Sequence, residues 1–404
     1  MILHKAIDVE SQIKHIIDSG WYRDARNVLG LTAQHGMISR DAFDRFKRML
    51  EGKPDSASSR HELYGCMVGF DSNTVVSSLQ FERLTKPADM KRAFKQAVNK
   101  IEIETSSQCN RHCAYCPNSR PDLEHRRRSN EFLDEAVFEK LLADLQEIDY
   151  AEKISLVGLN EFFMHEENFA YLETAKTMLP KSYVTVYSNG DYITREAIER
   201  AEKAGLDLLI VSFHLQSGKP YRIEDVLDRA MKFSQRTGLQ LVMTDFICGE
   251  RIHFQAHTGG MHVSAGLVNF AEIGHNWGGS MDCGKEEASD GIPCQLPVNV
   301  LCLTHKGDFT LCCTVPREAT PENIASGAML GNIGDFPSLF HAYASDTMLR
   351  WRQNAFSTQH VPPLCQACSA RSSIDNVKNR DLAAFVEQQH GYIKQPAAAK
   401  EAAA

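Results

Sequence analysis

Three thiols crowd into the stretch Ser106–Ser119. Cys109, Cys113 and Cys116 are spaced C-x3-C-x2-C. Thiolates are soft ligands that select zinc and iron–sulfur clusters. A closed structural zinc site takes four ligands, and a cubane iron–sulfur cluster takes four thiolates. Three thiols therefore leave one position open, and an open position on a metal is where a substrate or cofactor binds. The competing reading is a zinc knuckle completed by His112 or His125. Zinc ribbons carry paired C-x2-C units, whereas this stretch has one such pair and an additional cysteine upstream.

A second set lies near the C-terminus. Cys294 is followed by twelve residues, Gly307, four residues and Cys312, and later by the pair Cys365 and Cys368. Four thiols match a closed cluster with no open iron. Zinc is again the alternative, and Cys313 competes with Cys312 for the second ligand position. These seven leave five of the twelve cysteines, namely Cys66, Cys248, Cys283, Cys302 and Cys313, outside both sets.

The elements that must hold these thiols are legible as alternating strands and helices. Strands are expected at 100–105, 153–159, 183–190, 206–214, 239–247 and 265–273, with helices at 134–148, 168–179, 194–205 and 223–238. Strand–helix alternation implies a parallel sheet with right-handed crossovers. In barrels of this kind chemistry sits at the strand C-terminal ends, and the first three cysteines directly follow the first strand. Residues 1–95 read as a helical extension without a motif, with a loop or linker at 52–60. The barrel occupies 96–280, a region of short strands and glycine turns 281–380, and a helix with a low-complexity tail 381–404.

Composition bounds the class. The chain has 404 residues, 43% of them hydrophobic and 24% charged, with a net charge of -8. That is a soluble globular composition, and its acidity argues against general nucleic-acid binding. No apolar run is long enough to cross a membrane, and charges interrupt the first twenty residues too early for a signal peptide. The expected location is the cytoplasm, where clustered cysteines point to metal or catalysis rather than disulfides.

With these residues in view, the chain resembles the radical S-adenosylmethionine enzymes. C-x3-C-x2-C after a first strand, with the aromatic Tyr115 before the last cysteine, is that family's signature. The resemblance implies a partial (β/α)6 barrel. It makes Cys109, Cys113 and Cys116 the ligands of a [4Fe-4S] cluster whose open iron binds the amino and carboxylate groups of S-adenosylmethionine. Reductive cleavage would yield a 5′-deoxyadenosyl radical. Tyr115 would lie against the adenine. The family's Gly-Gly-Glu-Pro stretch is represented by Gly158, Leu159, Asn160 and Glu161, so the second glycine and the proline are absent. Ser188 and Asn189 in "YSNG" would reach the ribose or carboxylate, and Ser212 and His214 would face the cavity. "LCLTHKGDFTLCC", "MLGNIGDF" and "CQAC" resemble the SPASM/twitch extension, in which Cys294, Cys312, Cys365 and Cys368 would hold an auxiliary [4Fe-4S] cluster.

The implied reaction is oxidation or epimerisation of a small polar molecule, sugar-like or cyclitol-like, with the auxiliary cluster in electron transfer and a flavodoxin or ferredoxin as donor. Cys248 and His214 are the candidate catalytic side chains, the first as hydrogen-atom donor for an epimerase. Modification of a peptide side chain is the alternative enzyme reading, and a two-site zinc interaction protein the non-enzyme one. Arg126, Arg127 and Arg128 could form guanidinium forks for phosphate or carboxylate. His253, His257 and His262 could supply a general base. The metal question has a direct check: anaerobically purified protein is expected to be brown with broad visible absorbance. Colourless protein carrying stoichiometric zinc would overturn the cluster reading of both thiol sets.

Overall fold

A computed structural model describes residues 38–53, 77–247, 249–283, 294, 296–357 and 361–369, with isolated helical positions between 10 and 33. Its frame is a ten-stranded sheet in the order β10-β9-β8-β1-β2-β3-β4-β7-β6-β5. Here β1 is Lys100–Ile103, β2 Lys153–Leu156, β3 Tyr183–Ser188, β4 Leu208–Ser212, β5 Val242–Ile247, β6 Arg251–Thr258, β7 Met261–Val268, β8 Val300–Leu303, β9 Asp308–Thr310 and β10 Met329–Asn332. Six neighbouring strands, from β8 through β1, β2, β3 and β4 to β7, run parallel. The sheet is open rather than closed on itself, and antiparallel strands extend both edges. This is the expected α/β partial barrel.

Two strands differ from the expected series. The strand at 239–247 does not continue the parallel series: β5 pairs antiparallel with β6 at the sheet edge. Gly249 (φ 77°) and Gly259 (φ 50°) lie in the short links from β5 to β6 and from β6 to β7. Such links are too short for a crossover helix and permit only antiparallel pairing. The place beside β4 goes instead to β7, which ends at Val268, and Phe270–Ile273 turns helical. On the far side β8 joins β1 in parallel, so the sixth parallel strand comes from the cysteine-rich C-terminal stretch.

The helices have legible boundaries. α1 (Arg40–Leu50) and α2 (Pro87–Ala97) precede the sheet, and α3 (Glu124–Arg128) and α4 (Glu135–Glu147) link β1 to β2. α5 (Asn168–Met178), α6 (Arg195–Lys203) and α7 (Ile223–Thr237) make the following crossovers. Asp134 caps α4 by accepting from the N–H groups of Ala136 and Val137, and Thr194 caps α6 through Ala197 N–H, which satisfies otherwise orphaned donors. Gly238 (φ 75°) ends α7 in the left-handed conformation usual for this position. Among the described residues no helix is long and apolar enough to cross a membrane.

The alternation in "KIEIET" has an unusual outcome. Ile101 and Ile103 enter the apolar core. The polar face, Lys100, Glu102 and Glu104, is equally buried, at 1%, 4% and 0% exposure. Both faces of β1 are therefore covered, and Lys100 and Glu102 line the interior cavity. Below, α8 (Leu339–Tyr343) packs on α2 through edge-on contacts of Phe94 with Phe340 (5.4 Å) and Tyr343 (5.3 Å). α9 (Asp346–Phe356) anchors residues 77–81, with Arg352 Nε donating to Gln80 O (2.9 Å) and Gln353 Nε2 to Phe81 O (2.8 Å). Phe94 is fully buried at the meeting of these elements. Truncation by Phe94→Ala should cost about 3–5 kcal/mol, measurable as a lowered denaturant midpoint at unchanged slope.

Candidate active site

The three-cysteine loop leaves the end of β1 and is tied down at several points. Ser107 N donates to Glu131 O (2.9 Å), Cys116 N to Cys113 O (2.9 Å) and Ser119 N to Cys116 O (2.9 Å). Its strongest tether is Arg111, whose Nε and Nη2 grip both oxygens of Asp191 at 2.7 Å, while Nη1 donates to His214 O at 2.9 Å. Arg229 Nη2 and Asn110 Nδ2 also donate to Asp191, each at 2.8 Å. Burial opposes ionisation of Asp191, but the Arg111 and Arg229 guanidiniums hold its carboxyl far below the usual range. Asp191 reaches this position because Gly190 turns the chain after β3 with φ 80°.

One cavity of about 310 Å³ collects the expected site residues: Cys109, Cys113, Tyr115, Cys116, Gly158, Asn160, Glu161, Ser188, Asn189, Ser212 and His214 all line it. Their individual contacts are specific. The Glu161 carboxylate accepts from the Ser188 hydroxyl (2.6 Å), the Asn189 N–H (2.6 Å) and the Phe163 N–H (3.2 Å). Burial pushes Glu161 up to about 7. Asn189 Nδ2 donates to Asn110 Oδ1 (2.7 Å) and approaches Cys109 Sγ (3.8 Å). Asn160 Nδ2 donates to Ser106 Oγ (3.1 Å). Tyr115 stacks on Phe270 at 4.0 Å and 9°, and its hydroxyl meets His214 Nδ1 at 2.8 Å. Trp277 Nε1 donates to Tyr115 O at 2.9 Å. Burial, with the nearby Arg111 charge, pushes His214 down to about 3, so its imidazole is neutral. Gly158 has a steric reason to lack a side chain, since a Cβ there would stand 2.3 Å from Glu104 Oε1.

Burial, together with the neighbouring thiols, pushes Cys109 and Cys116 up to about 12. Without a positive centre they are neutral thiols; a bound metal deprotonates such a group outright. The donor set fits a cluster: three soft sulfurs share one end of a cavity that also holds the polar strand ends. Among the described residues no three His, Cys, Asp or Glu side chains converge on the position of a single metal ion. A four-iron cluster, with one thiolate per iron, does not ask its ligands to meet at one point.

The second set also gathers. Cys294, Cys312 and Cys365 share one apolar cluster with Leu364. Cys312 Sγ lies 3.2 Å from Thr314 Oγ1, which lies 3.9 Å from Cys368 Sγ. Cys313 belongs to the same apolar cluster and also lines the main cavity with Thr314 and Arg317. Cys248 and Cys66 lie outside the described residues, so no position is assigned to the candidate hydrogen-atom donor.

Arg126 departs from the expected anion fork. It is 1% exposed and donates to Glu104 Oε1 (2.7 Å), Glu318 Oε2 (2.5 Å) and Arg317 O (2.9 Å). With both Nη groups committed and only the buried Nε unpaired among the described residues, this guanidinium has no two-pronged fork left for a ligand. Arg128 is exposed and pairs with Glu124 (2.6 Å). His253, His257 and His262 sit on β6 and β7 and do not line the cavity, and the last two stack on each other at 4.5 Å. Sequence reasoning missed Asp191, Arg111 and the interior charges Lys100, Glu102 and Arg317. The signal for Asp191 was its place directly after the glycine turn of "SNGD"; that for Lys100 and Glu102 was the alternation of "KIEIET".

Several known proteins are similar to parts of this chain. Residues 103–238 match the Radical SAM superfamily. The S-adenosyl-L-methionine-dependent 2-deoxy-scyllo-inosamine dehydrogenase of Niallia circulans is 23% identical over 235 residues, covering 58% of this chain and 78% of that protein. The crystal structure of BtrN in complex with AdoMet and 2-DOIA is similar at 22% identity and a TM-score of 0.48, covering 67% of this chain and 93% of that one. Streptococcus suis SuiB bound to precursor peptide SuiA is similar at 11% identity and a TM-score of 0.36, covering 81% and 84%. Residues 103–238 are thus similar to the radical SAM superfamily, and the chain is similar to an oxidoreductase of that kind. Because Asp191 orients the ligand loop through Arg111 and Asn110, Asp191→Asn should weaken iron retention at the first site about 10- to 100-fold, as loss of outer-shell partners does at other metal sites. Iron per chain and visible absorbance after desalting are the readouts.

Proposed function

We propose that the protein is a radical S-adenosylmethionine dehydrogenase that oxidises a carbinol carbon of a small cyclitol-like or sugar-like molecule. The observation that carries this reading is one cavity lined both by the three-cysteine loop and by the Cys313–Thr314 segment, which adjoins the second thiol set. Its volume is at the lower end of the range for small-molecule sites, which favours a small ring over a peptide chain. The similarity to a dehydrogenase of an aminocyclitol points the same way.

Cys109, Cys113 and Cys116 would hold a four-iron cluster that, given one electron from a reductant, would cleave bound S-adenosylmethionine to methionine and a 5′-deoxyadenosyl radical able to take one hydrogen atom from carbon. Conversion of an alcohol to a carbonyl removes a proton and an electron besides that atom. Neutral imidazoles facing the cavity, His214 and His275, are the available proton acceptors, both kept neutral chiefly by burial. A second cluster on Cys294, Cys312, Cys365 and Cys368 would supply one-electron transfer. Cys312 rather than Cys313 is the ligand in this reading, because it faces the other three thiols. A flavodoxin or ferredoxin is the reductant class the first site requires.

Epimerisation is the second reading, and Cys313 is the observation behind it: a buried thiol on the cavity wall has the chemistry of a hydrogen-atom donor. Product mass separates the two. Dehydrogenation removes about two mass units, whereas epimerisation leaves the mass unchanged and brings in solvent deuterium. Cys113→Ala is expected to abolish release of 5′-deoxyadenosine while the absorbance of the second cluster persists. Continued release by that variant would sink the assignment of the first site.

A further inference from the structure

The donors around Cys109 can be assigned atom by atom, and the assignment leaves the Asn189 amide one orientation. Asn189 follows β3 and is 4% exposed. Its N–H donates to Glu161 Oε2 at 2.6 Å, and its Oδ1 accepts from the Asp191 N–H at 3.0 Å. Nδ2 donates one hydrogen to Asn110 Oδ1 at 2.7 Å and directs the other to Cys109 Sγ at 3.8 Å. Asn110 is fixed in turn, because its Nδ2 donates to Asp191 Oδ2 at 2.8 Å. An asparagine side chain carries two donor hydrogens on nitrogen and only acceptor positions on oxygen. Turning the Asn189 amide over would set Nδ2 against the Asp191 N–H and Oδ1 against Asn110 Oδ1. Turning Asn110 over as well would set its oxygen against the Asp191 carboxylate. Each exchange puts like against like, so the Asn189 nitrogen faces the sulfur.

The thiol and thiolate forms of Cys109 differ in what they ask of these neighbours. As a thiol, Cys109 directs its S–H at Asn110 Oδ1, 4.0 Å away. A thiol that coordinates a metal is deprotonated outright, so that bond ends on loading. The Asn189 bond to the same sulfur then becomes charge-assisted, and such bonds are about twice as strong as neutral ones. Hydrogen bonds to the sulfurs are among the factors that set the reduction potential of an iron–sulfur cluster. The reduced cluster carries one more negative charge than the oxidised one. A donor on a ligand sulfur therefore favours the reduced form and raises the potential.

Resting on the ligand assignment of the first site above, we infer that Asn189 is a positioning residue of that cluster: its side-chain N–H donates to the Cys109 thiolate and raises the reduction potential. The sequence placed Asn189 on the ribose or carboxylate of S-adenosylmethionine. In the structure both of its amide hydrogens are directed at protein atoms. Its role differs from that of Asp191, which holds the loop through Arg111 and Asn110 and makes no bond to a sulfur.

The test is an anaerobic reductive titration of the full-length, cluster-loaded enzyme, read by electron paramagnetic resonance. The signal missing from the Cys113→Ala variant belongs to the first site. Asn189→Leu keeps the side-chain shape and removes the donor, whereas Asn189→Asp keeps the shape and puts a charged acceptor in its place. At a fixed ambient potential Asn189→Leu should lower the reduced-to-oxidised ratio about tenfold, a shift of ~59 mV for one electron. Asn189→Asp should lower it further. Iron per chain verifies that each variant is loaded. A ratio unchanged within about twofold in Asn189→Leu, or raised in Asn189→Asp, overturns the inference. A second measurement covers a variant that fails to load. Unsubstituted enzyme, isotopically labelled on the nitrogen of its asparagine side-chain amides, is reduced and measured by pulsed resonance. A labelled nitrogen coupled to the first cluster is expected, and its absence overturns the inference. Should the unsubstituted enzyme show no cluster signal that Cys113→Ala removes, the ligand assignment of the first site fails instead.

Discussion

The Glu104 carboxylate is the point on which the rest of the site depends. It ends the inward face of β1 at 0% exposure and receives three elements at once. Arg126 Nη2, from the helix after the ligand loop, donates at 2.7 Å; Leu159 N, at the end of β2, at 2.6 Å; and His305 Nδ1, from the loop after β8, lies at 2.9 Å. Burial works against the charge, but Arg126 and His305 hold the carboxyl well below its ordinary range. Such a centre is worth little as net stability, because desolvation consumes most of the attraction. Its value is geometric: removing any partner leaves a buried charge uncompensated, so the three elements keep one arrangement. Gly158 belongs to the same constraint, since only a residue without a side chain clears Glu104.

Around that centre the sheet places polar groups inside and apolar groups outside, the reverse of a filled barrel. Arg126 continues outward to Glu318, and Glu318 to Lys306 at 2.9 Å. The ligand loop and the C-terminal segment are thereby joined through a chain of buried ion pairs rather than through apolar contact. The β8 strand completes the join by pairing with β1 along its length. The C-terminal stretch is thus part of the wall of the cavity and not an appendage beside it.

Much of this was legible from residue order. The C-x3-C-x2-C spacing located the site, and strand–helix alternation located four of the parallel strands, because hydrophobic runs and capped helices are local signals. The positions of β5 and β7 were not legible. Both read as buried strands, and what separates them is the length of the links at Gly249 and Gly259, which permit hairpins alone. Nor did "KIEIET" disclose which of its faces is wet. Alternation normally marks a solvated polar side, and only the burial of Lys100 and Glu102 against the cavity shows that they face inward. Arg126 was misread for a related reason: a run of three arginines looks like a fork open to anions until Glu104 and Glu318, one upstream and one far downstream, are brought to it.

Cys312 and Cys313 are consecutive and share one apolar cluster with Cys294, yet only Cys313 also lines the main cavity. The partition between the two compartments is therefore about one residue thick, ~3.8 Å along the chain, and a bulkier side chain at either position would press on both sides at once.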